Sequence, residues 1–381
     1  MAAESSSTCR QLKKTCRVPL PREHSHVLPD IPPEIIIQIL LRLRVKPLLR
    51  FKCVSKSWRS WISQPKFAKT HLSLASANTD YTHHRLLLLG WSPSDPGPDI
   101  KSCSLNSILN WKSDTAVDLD SPLEVSPRYV NIVGCCNGLV CLALITDEET
   151  KVLIWNPSTR KSKRVTNPPH QYYRFSTNVF GYDGSNDDYK VAGFMVRSSY
   201  FELMVYSLRT NLWRTIGGFP KCLSPYDPGK HLNGALYWIA SKQSKRIIVS
   251  LDLANEMYGE VIEPDYGDDG TIFRDTVLLD VMNGCLSLLR ACNDYAEVWV
   301  MMEQGIRESW TKLAVIPFAT LRYVGPYSKP ICILENGNVL FSAFDSLVWY
   351  NYKACTCRRI QNVLWRLFTV HPYVESLVSL A

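Results

Sequence analysis

The chain has 381 residues, room for a small module plus a large domain, and its 46% hydrophobic and 20% charged residues are those of an ordinary globular protein. No apolar run approaches the roughly 18 residues of a membrane-spanning helix, and the N-terminus has no apolar signal core, so membrane and secreted classes are disfavoured. The net charge of +8 is concentrated, with 14 Lys/Arg against 4 Asp/Glu in residues 1–70 and 29 against 31 in the remainder, which argues against a nucleic-acid reader.

Residues 1–27, rich in Ser, Pro and basic side chains, are expected to form a disordered basic tail. Along the whole chain the thirteen cysteines form no C-x-x-C pair and show no converging zinc spacing. They read as small buried apolar groups in a reducing compartment, so the expected location is intracellular, cytoplasm and/or nucleus, with no metal and no cofactor.

Next comes a short helical segment. Pro32 and Pro33 suit a first turn, with Asp30 in the capping position and Glu34 near the positive helix end. Ile35, Ile36, Ile39, Leu40 and Leu43 follow at helical spacing, and Val45-Lys46-Pro47 restarts a helix carrying Leu48, Leu49 and Phe51. Ser55 is placed to cap a third helix, in which Trp58, Trp61 and Ile62 share a face. Three short helices in about 40 residues make only a marginal core. Their surplus apolar surface must pack on the rest of the chain or on a partner.

The stretch "LPDIPPEIIIQILLRLRVKPLLRFKCVSKSWRSWI" resembles the F-box, through its Leu-Pro start, its acidic-Ile run, the Pro before the second helix and Arg-Phe-Lys-Cys-Val-Ser-Lys-x-Trp. The resemblance implies an F-box over 28–70, a linker over 71–83, and binding of a Skp-type adaptor and through it a cullin. It also implies that Leu28, Pro29, Ile31, Pro32, Ile35, Leu48, Leu49, Val54, Ser55 and Trp58 carry or shape the adaptor contact. Leu28 and Pro29 are then entry anchors, and Ile35 and Leu48 central ones. The basic residues around them form a solvated rim that could steer an acidic adaptor.

From residue 84 to residue 381 the pattern is strand, turn, strand. Asn-Gly precedes an apolar strand at Asn137, Asn233, Asn283 and Asn336, at intervals of 96, 50 and 53 residues. The long interval spans two periods, and "DYKVAGFMV" supplies the missing strand. A period near 50 with about four strands per unit predicts a kelch-like β-propeller of about six blades. The C-terminal "TVHPYVESLVSL" is expected to complete a blade and close the ring. The fold class is therefore multidomain, α plus all-β. An irregular sandwich is the weaker option. The segments "GCCNGLVCL", "IWNPSTRKSKRV", "FGYDGSNDDYKV" and "VYSLRTNLWR" resemble the F-box-associated domain of plant F-box/kelch-type proteins. Gly-Gly does not recur in each unit as true kelch repeats require; Gly217-Gly218 stands alone.

No nucleophile elbow, phosphate loop, dinucleotide fingerprint or H-E-x-x-H motif occurs. The histidines of the β body, among them His84, His170, His231 and His371, are scattered singly and read as surface or satisfied core groups. "EPDYGDDG" lacks the order of a calcium loop and reads as an exposed loop between blades. The resemblance therefore implies a non-catalytic substrate receptor of an SCF-type ubiquitin ligase with an unknown protein substrate, no nucleic acid and no membrane. The alternatives are a propeller enzyme whose turnover the F-box controls, or a non-degradative scaffold. Three or more buried carboxylates or histidines clustered at the channel mouth would mark the enzyme. Aromatic and arginine side chains dominate interface energy, so substrate contact is expected at Tyr172, Tyr173, Arg174 and Phe175, and at Phe318, Arg322, Tyr323 and Tyr327.

Overall fold

A computed structural model describes residues 31–91, 98–110, 116–120, 122–123, 127–147, 149–167, 175–196, 200–220, 223–225, 228–243, 245–267, 276–318, 328–334, 336–343, 346–360 and 367–380. The basic tail, Leu28, Pro29 and Asp30 lie outside these residues.

The N-terminal module holds α1 (Pro33–Leu41), α2 (Val45–Phe51), α3 (Lys56–Ser63) and α4 (Pro65–Ser76). Pro32 occupies the cap of α1, without a side-chain bond, and its carbonyl accepts the Ile35 and Ile36 N–H groups at 3.0 and 3.2 Å. Pro33 sits at the first position, where a missing N–H forfeits nothing. Ser55 caps α3 as expected, its Oγ accepting the Trp58 N–H at 3.1 Å. Leu40, Leu41, Val45, Leu48, Ile62, Phe67 and Ala68 form the module's core. α4 is a helix that the expected linker over 71–83 left out. Its buried residues Phe67, Ala68, His71, Leu72 and Ala75 recur at helical spacing, so the linker begins only after Ser76.

The β body closes into six four-stranded sheets, one per blade, with one extra short strand in the fourth. Blade one receives β1 (His84–Trp91) and β2 (Pro98–Ser104), then the short α5 (Leu105–Leu109) and β3 (Val117–Asp118). Blade two is β4 (Tyr129–Cys136), β5 (Leu139–Ile145), β6 (Thr150–Asn156) and β7 (Lys161–Arg164), and blade three is β8 (Phe175–Asp183), β9 (Asp188–Val196), β10 (Phe201–Ser207) and β11 (Leu212–Thr215). Blade four holds β12 (Leu223–Pro225), β13 (Lys230–Leu232), β14 (Ala235–Lys242), β15 (Lys245–Asp252) and β16 (Tyr258–Val261). Blade five is β17 (Thr276–Met282), β18 (Cys285–Ala291), β19 (Tyr295–Met301) and β20 (Trp310–Pro317). Blade six is β21 (Lys329–Ile333), β22 (Asn338–Ala343), β23 (Ser346–Asn351) and β24 (Thr356–Ile360). The last strand, β25 (Leu367–Val374), pairs antiparallel with β1 and supplies the missing first strand of blade one. Each sheet edge at the ring closure is thereby filled from the other end of the sequence.

Two turn devices repeat around the ring. Between first and second strands, Asn137-Gly138, Asn233-Gly234 and Asn283-Gly284 hold both residues in the left-handed region, with φ from 48° to 79°. That is the hairpin geometry Asn-Gly favours. Between third and fourth strands, the residue four positions after the strand's last is left-handed in every blade from two to six: Arg160, Asn211, Glu256, Gly305 and Cys355. Asn156, Asp252 and Asn351 brace these turns, each carboxyl or amide oxygen accepting N–H groups two and three residues on at 2.8–3.2 Å. Strands alternate in direction, so both turn families lie on one face, here termed the turn face.

Each of the six blade interfaces is filled by one apolar cluster. The Trp and Tyr stripe of the sequence is core, with Trp155, Tyr206, Trp238 and Tyr350 at most 1% exposed. The cysteines follow: among the described residues Cys103, Cys136, Cys141 and Cys332 are buried, and burial pushes the Cys332 thiol up to about 12.

The helical module sits on the turn face. Lys69 of α4 pairs with Asp187 of the β8–β9 turn at 2.6 Å, and Arg44 pairs with Glu375, just past β25, at 2.7 Å. Glu375 also lies 3.6 Å from Arg85 and donates its backbone N–H to the His83 carbonyl at 3.0 Å. Leu377 enters the module's core. Asn156 Nδ2 donates to the Ser376 and Val378 carbonyls at 3.2 and 2.9 Å, so residues 375–380 tie blade one, blade two and the module together.

Candidate functional site

The first site is an apolar ledge on the helical module. Ile31 is 56% exposed, Ile35 and Ile39 are each 50% exposed one helical turn apart, and Val54 is 60% exposed. Pro32 is exposed beside them. The opposite side of α1 faces inward, with Leu40 and Leu41 buried and Ile36 and Ile37 partly so. An aliphatic stripe this open on a helix is the kind of surface that helix-in-groove contacts use. Leu49 and Trp58 are partly buried at its rim, where the Trp58 ring meets Phe51 edge-on at 5.3 Å.

Leu48 is not an anchor on this surface. It is 0% exposed, because Val45 and Leu48 share the inward face of α2 against Leu40 and Ile62. It shapes the site only by holding the helices together. Ser55 likewise acts through the backbone, as the α3 cap. Leu28 and Pro29 lie outside the described residues. Ile39, absent from the expected contact set, is as exposed as Ile35.

The ledge is set in positive charge. Residues 31–76 hold nine Lys/Arg against Glu34 alone. Arg44 is committed to Glu375. Lys52 is held below the usual lysine range, first by burial and then by Lys161 and Arg59, which shows how closely these cations crowd where the module meets β7.

The expected substrate contacts belong to the chain between β7 and β8 and between β20 and β21. The last residues of β7 and β20 and the first residues of β8 and β21 lie at the face opposite the module. Tyr172, Tyr173, Arg174, Arg322, Tyr323 and Tyr327 lie outside the described residues, as does the side chain of Phe175, whose backbone opens β8. Phe318 is partly buried against the cluster between blades five and six, so its ring is engaged in packing rather than offered to a partner.

The second candidate is the central channel, a cavity of about 530 Å³. Lys230 of β13, Asp280 of β17, Lys329 of β21 and His371 of β25 line it from four different blades. Lys230 Nζ and Asp280 Oδ2 are 2.9 Å apart. Burial works against ionisation of Asp280, but Lys230, Lys329 and the Val281 N–H outweigh it and hold the carboxyl below its usual range. His371 is also pushed down, to about 3, by burial and then by the same two lysines. His231 also reaches the wall, yet its Nε2 accepts the Tyr182 N–H at 3.2 Å and its Nδ1 faces Cys136 Sγ at 3.6 Å. One carboxylate and two imidazoles thus line the cavity, with Asp280 near enough to act on His371 and His231 engaged by Tyr182 and Cys136. Among the described residues no three His, Cys, Asp or Glu side chains gather to hold a metal. Lys230 and Asp280 each stand three residues before the Asn of an Asn-Gly turn, a periodic signal that the sequence did carry. The acidic stretch near residue 265 is less open than expected: Glu263 is engaged by Arg246 at 2.9 and 3.2 Å.

Known families match both parts. Residues 28–70 match the F-box domain, and residues 99–380 match the F-box associated beta propeller domain. The F-box/kelch-repeat protein At3g23880 of Arabidopsis thaliana is 33% identical over 336 residues, covering 84% of this chain and 88% of that protein. F-box protein CPR1 of the same plant is 27% identical over 365 residues, covering 85% of this chain and 82% of that one. The crystal structure of TolB from Acinetobacter baumannii superposes with a TM-score of 0.46 at 11% identity, over 82% of this chain and 72% of that one.

Proposed function

This chain belongs to the F-box proteins that carry an F-box-associated β-propeller, and we propose that it is the substrate-receptor subunit of an SCF-type ubiquitin ligase. Proteins of this family are typically non-catalytic adaptors of such complexes, and F-box domains generally bind Skp1-type adaptors. The observation that carries the reading is the open aliphatic side chains of Ile31, Ile35, Ile39 and Val54 beside the module's buried core of Leu40, Leu41, Val45, Leu48 and Ile62.

In this reading the ledge enters the adaptor, whose cullin partner brings the charged ubiquitin carrier. The cationic surround steers an acidic adaptor surface into place. The propeller face opposite the module holds a protein substrate, in the cytoplasm or nucleus. The receptor then acts by raising the effective concentration of a substrate lysine near the carrier, and supplies no nucleophile of its own.

The test is reconstitution of the full chain with a Skp-type adaptor and a cullin. Leu28→Ala with Pro29→Ala is expected to abolish adaptor and cullin capture while the propeller melts as in the parent. Alanine blocks over 172–175 and 322–327 are expected to lose a captured substrate with adaptor binding kept. Undiminished adaptor capture by the double variant would overturn the assignment.

A further inference from the structure

Three cations meet where the helical module reaches blade two. Lys52 closes α2 and Arg59 lies in α3, while Lys161 opens β7 directly after the left-handed Arg160, at the turn face on which the module sits. Arg59 and Lys161 are exposed, and both stand close enough to Lys52 to act on its ammonium. Neighbouring cations of the propeller are matched: Arg160 pairs with Asp120 at 2.6 Å, Arg164 lies 3.7 Å from Glu149, and Lys163 donates to the Leu208 carbonyl at 3.3 Å. Among the described residues no carboxylate pairs with Lys52, Arg59 or Lys161. Like charges gathered across a junction repel, so the fold gains nothing from the cluster itself, and an anionic partner would relieve it. The chain's own first 30 residues, with five Lys/Arg against three Asp/Glu, have the wrong sign for that task. A partner seated on the ledge has the right position, because Val54, 60% exposed, falls between Lys52 and Arg59 in the sequence.

We propose that Lys161 of the propeller, with Lys52 and Arg59 of the module, takes an acidic segment of the Skp-type adaptor docked on the ledge, so that the β-propeller as well as the F-box touches the adaptor. This rests on the ligase-receptor reading and adds a contact to it. The contact is exposed and ionic, so salt screens it, whereas the aliphatic ledge is indifferent to salt.

The experiment is calorimetric titration of the full chain with a purified Skp-type adaptor at about 50 mM and about 300 mM salt, with thermal melts of each variant. Lys161→Glu replaces an attraction by a repulsion and is expected to weaken adaptor binding roughly fivefold at the lower salt and less than about twofold at the higher. Lys245→Glu, exposed on the opposite face at the start of β15, should stay within about twofold at both. The new carboxylate of Lys161→Glu sits beside Lys52 and Arg59, so this variant should melt no lower than the parent, which separates a lost contact from a lost fold. If Ile35→Ala with Ile39→Ala weakens adaptor binding but Lys161→Glu does not, the ledge stands and this contact falls. A loss equal at both salts, an equal loss from Lys245→Glu, or loss of a single-stranded oligonucleotide in place of the adaptor would also overturn the proposal. A parent chain that binds no adaptor would overturn the ligase reading and this contact together.

Discussion

Ile35 and Leu48 look alike in the sequence, but the structure leaves Ile35 half exposed and buries Leu48, and alanine at each should separate partner binding from stability. Burying an isoleucine side chain completely contributes about 1.5–3 kcal/mol. Ile35 and Ile39 are each 50% exposed, so each leaves about half of that for a partner to gain. Ile35→Ala with Ile39→Ala should therefore cost about 1.5–3 kcal/mol of adaptor binding, roughly a 10–150-fold loss of affinity. Stability should change little, within about 1 kcal/mol, since alanine is the better helix former at half-exposed positions. Leu48 is 0% exposed, and its truncation leaves a cavity in a small core, which costs about 2–5 kcal/mol of module stability. The assays are calorimetric titration with a purified Skp-type adaptor and urea unfolding followed by tryptophan fluorescence, because Trp58 and Trp61 report on the module. Adaptor affinity within twofold of the parent for the Ile pair, or a Leu48→Ala variant as stable as the parent, would refute the division of roles.

Two further outcomes follow from the junction and the turns. Gly284→Ala meets open space and only the strain of φ +76°, so it should cost about 1 kcal/mol, whereas at Gly138 a Cβ would also meet Ser376 and lie 2.5 Å from the Val374 carbonyl oxygen. Gly138→Ala should thus lower the calorimetric melting temperature clearly more than Gly284→Ala; equal shifts would contradict the seating of the C-terminal tail. The second outcome concerns pH: burial lowers the folded pKa of His71, His83 and His84, so the unfolded chain binds the extra protons and stability falls as pH drops below about 6.5. Melting temperature should decrease from pH 7.5 to 5.5, and His71→Gln should flatten the dependence; an unchanged slope would count against a role for His71.

The ring was legible because its determinants are local and repeated. Asn-Gly pairs fix a turn by backbone preference alone, and three of them adopt the expected left-handed pair. The closing strand was legible too, since the repeat leaves blade one short by a strand and β25 is left over. The ledge was only half legible. α1 carries isoleucine or leucine at Ile35, Ile36, Ile37, Ile39, Leu40 and Leu41, so apolar spacing points everywhere, and only docking through α4 and Leu377 decides which side stays open. α4 itself was readable, from the spacing of Phe67, Ala68, His71, Leu72 and Ala75, but a basic and hydroxyl-rich outer face masks it. The channel charges come one per blade from four blades, and such long-range convergence leaves only the faint periodic trace of Lys230 and Asp280.

The borrowed strand β25 has a consequence for biosynthesis. While the ribosome has delivered only the first 366 residues, blade one lacks its inner strand and Glu375 and Leu377 have not yet been made. A nascent chain can therefore present the helical module before it owns a closed ring to hold it. The position of the helical module on the ring is fixed only once β25 and residues 375–377 have been made, and products cut short before them lack it.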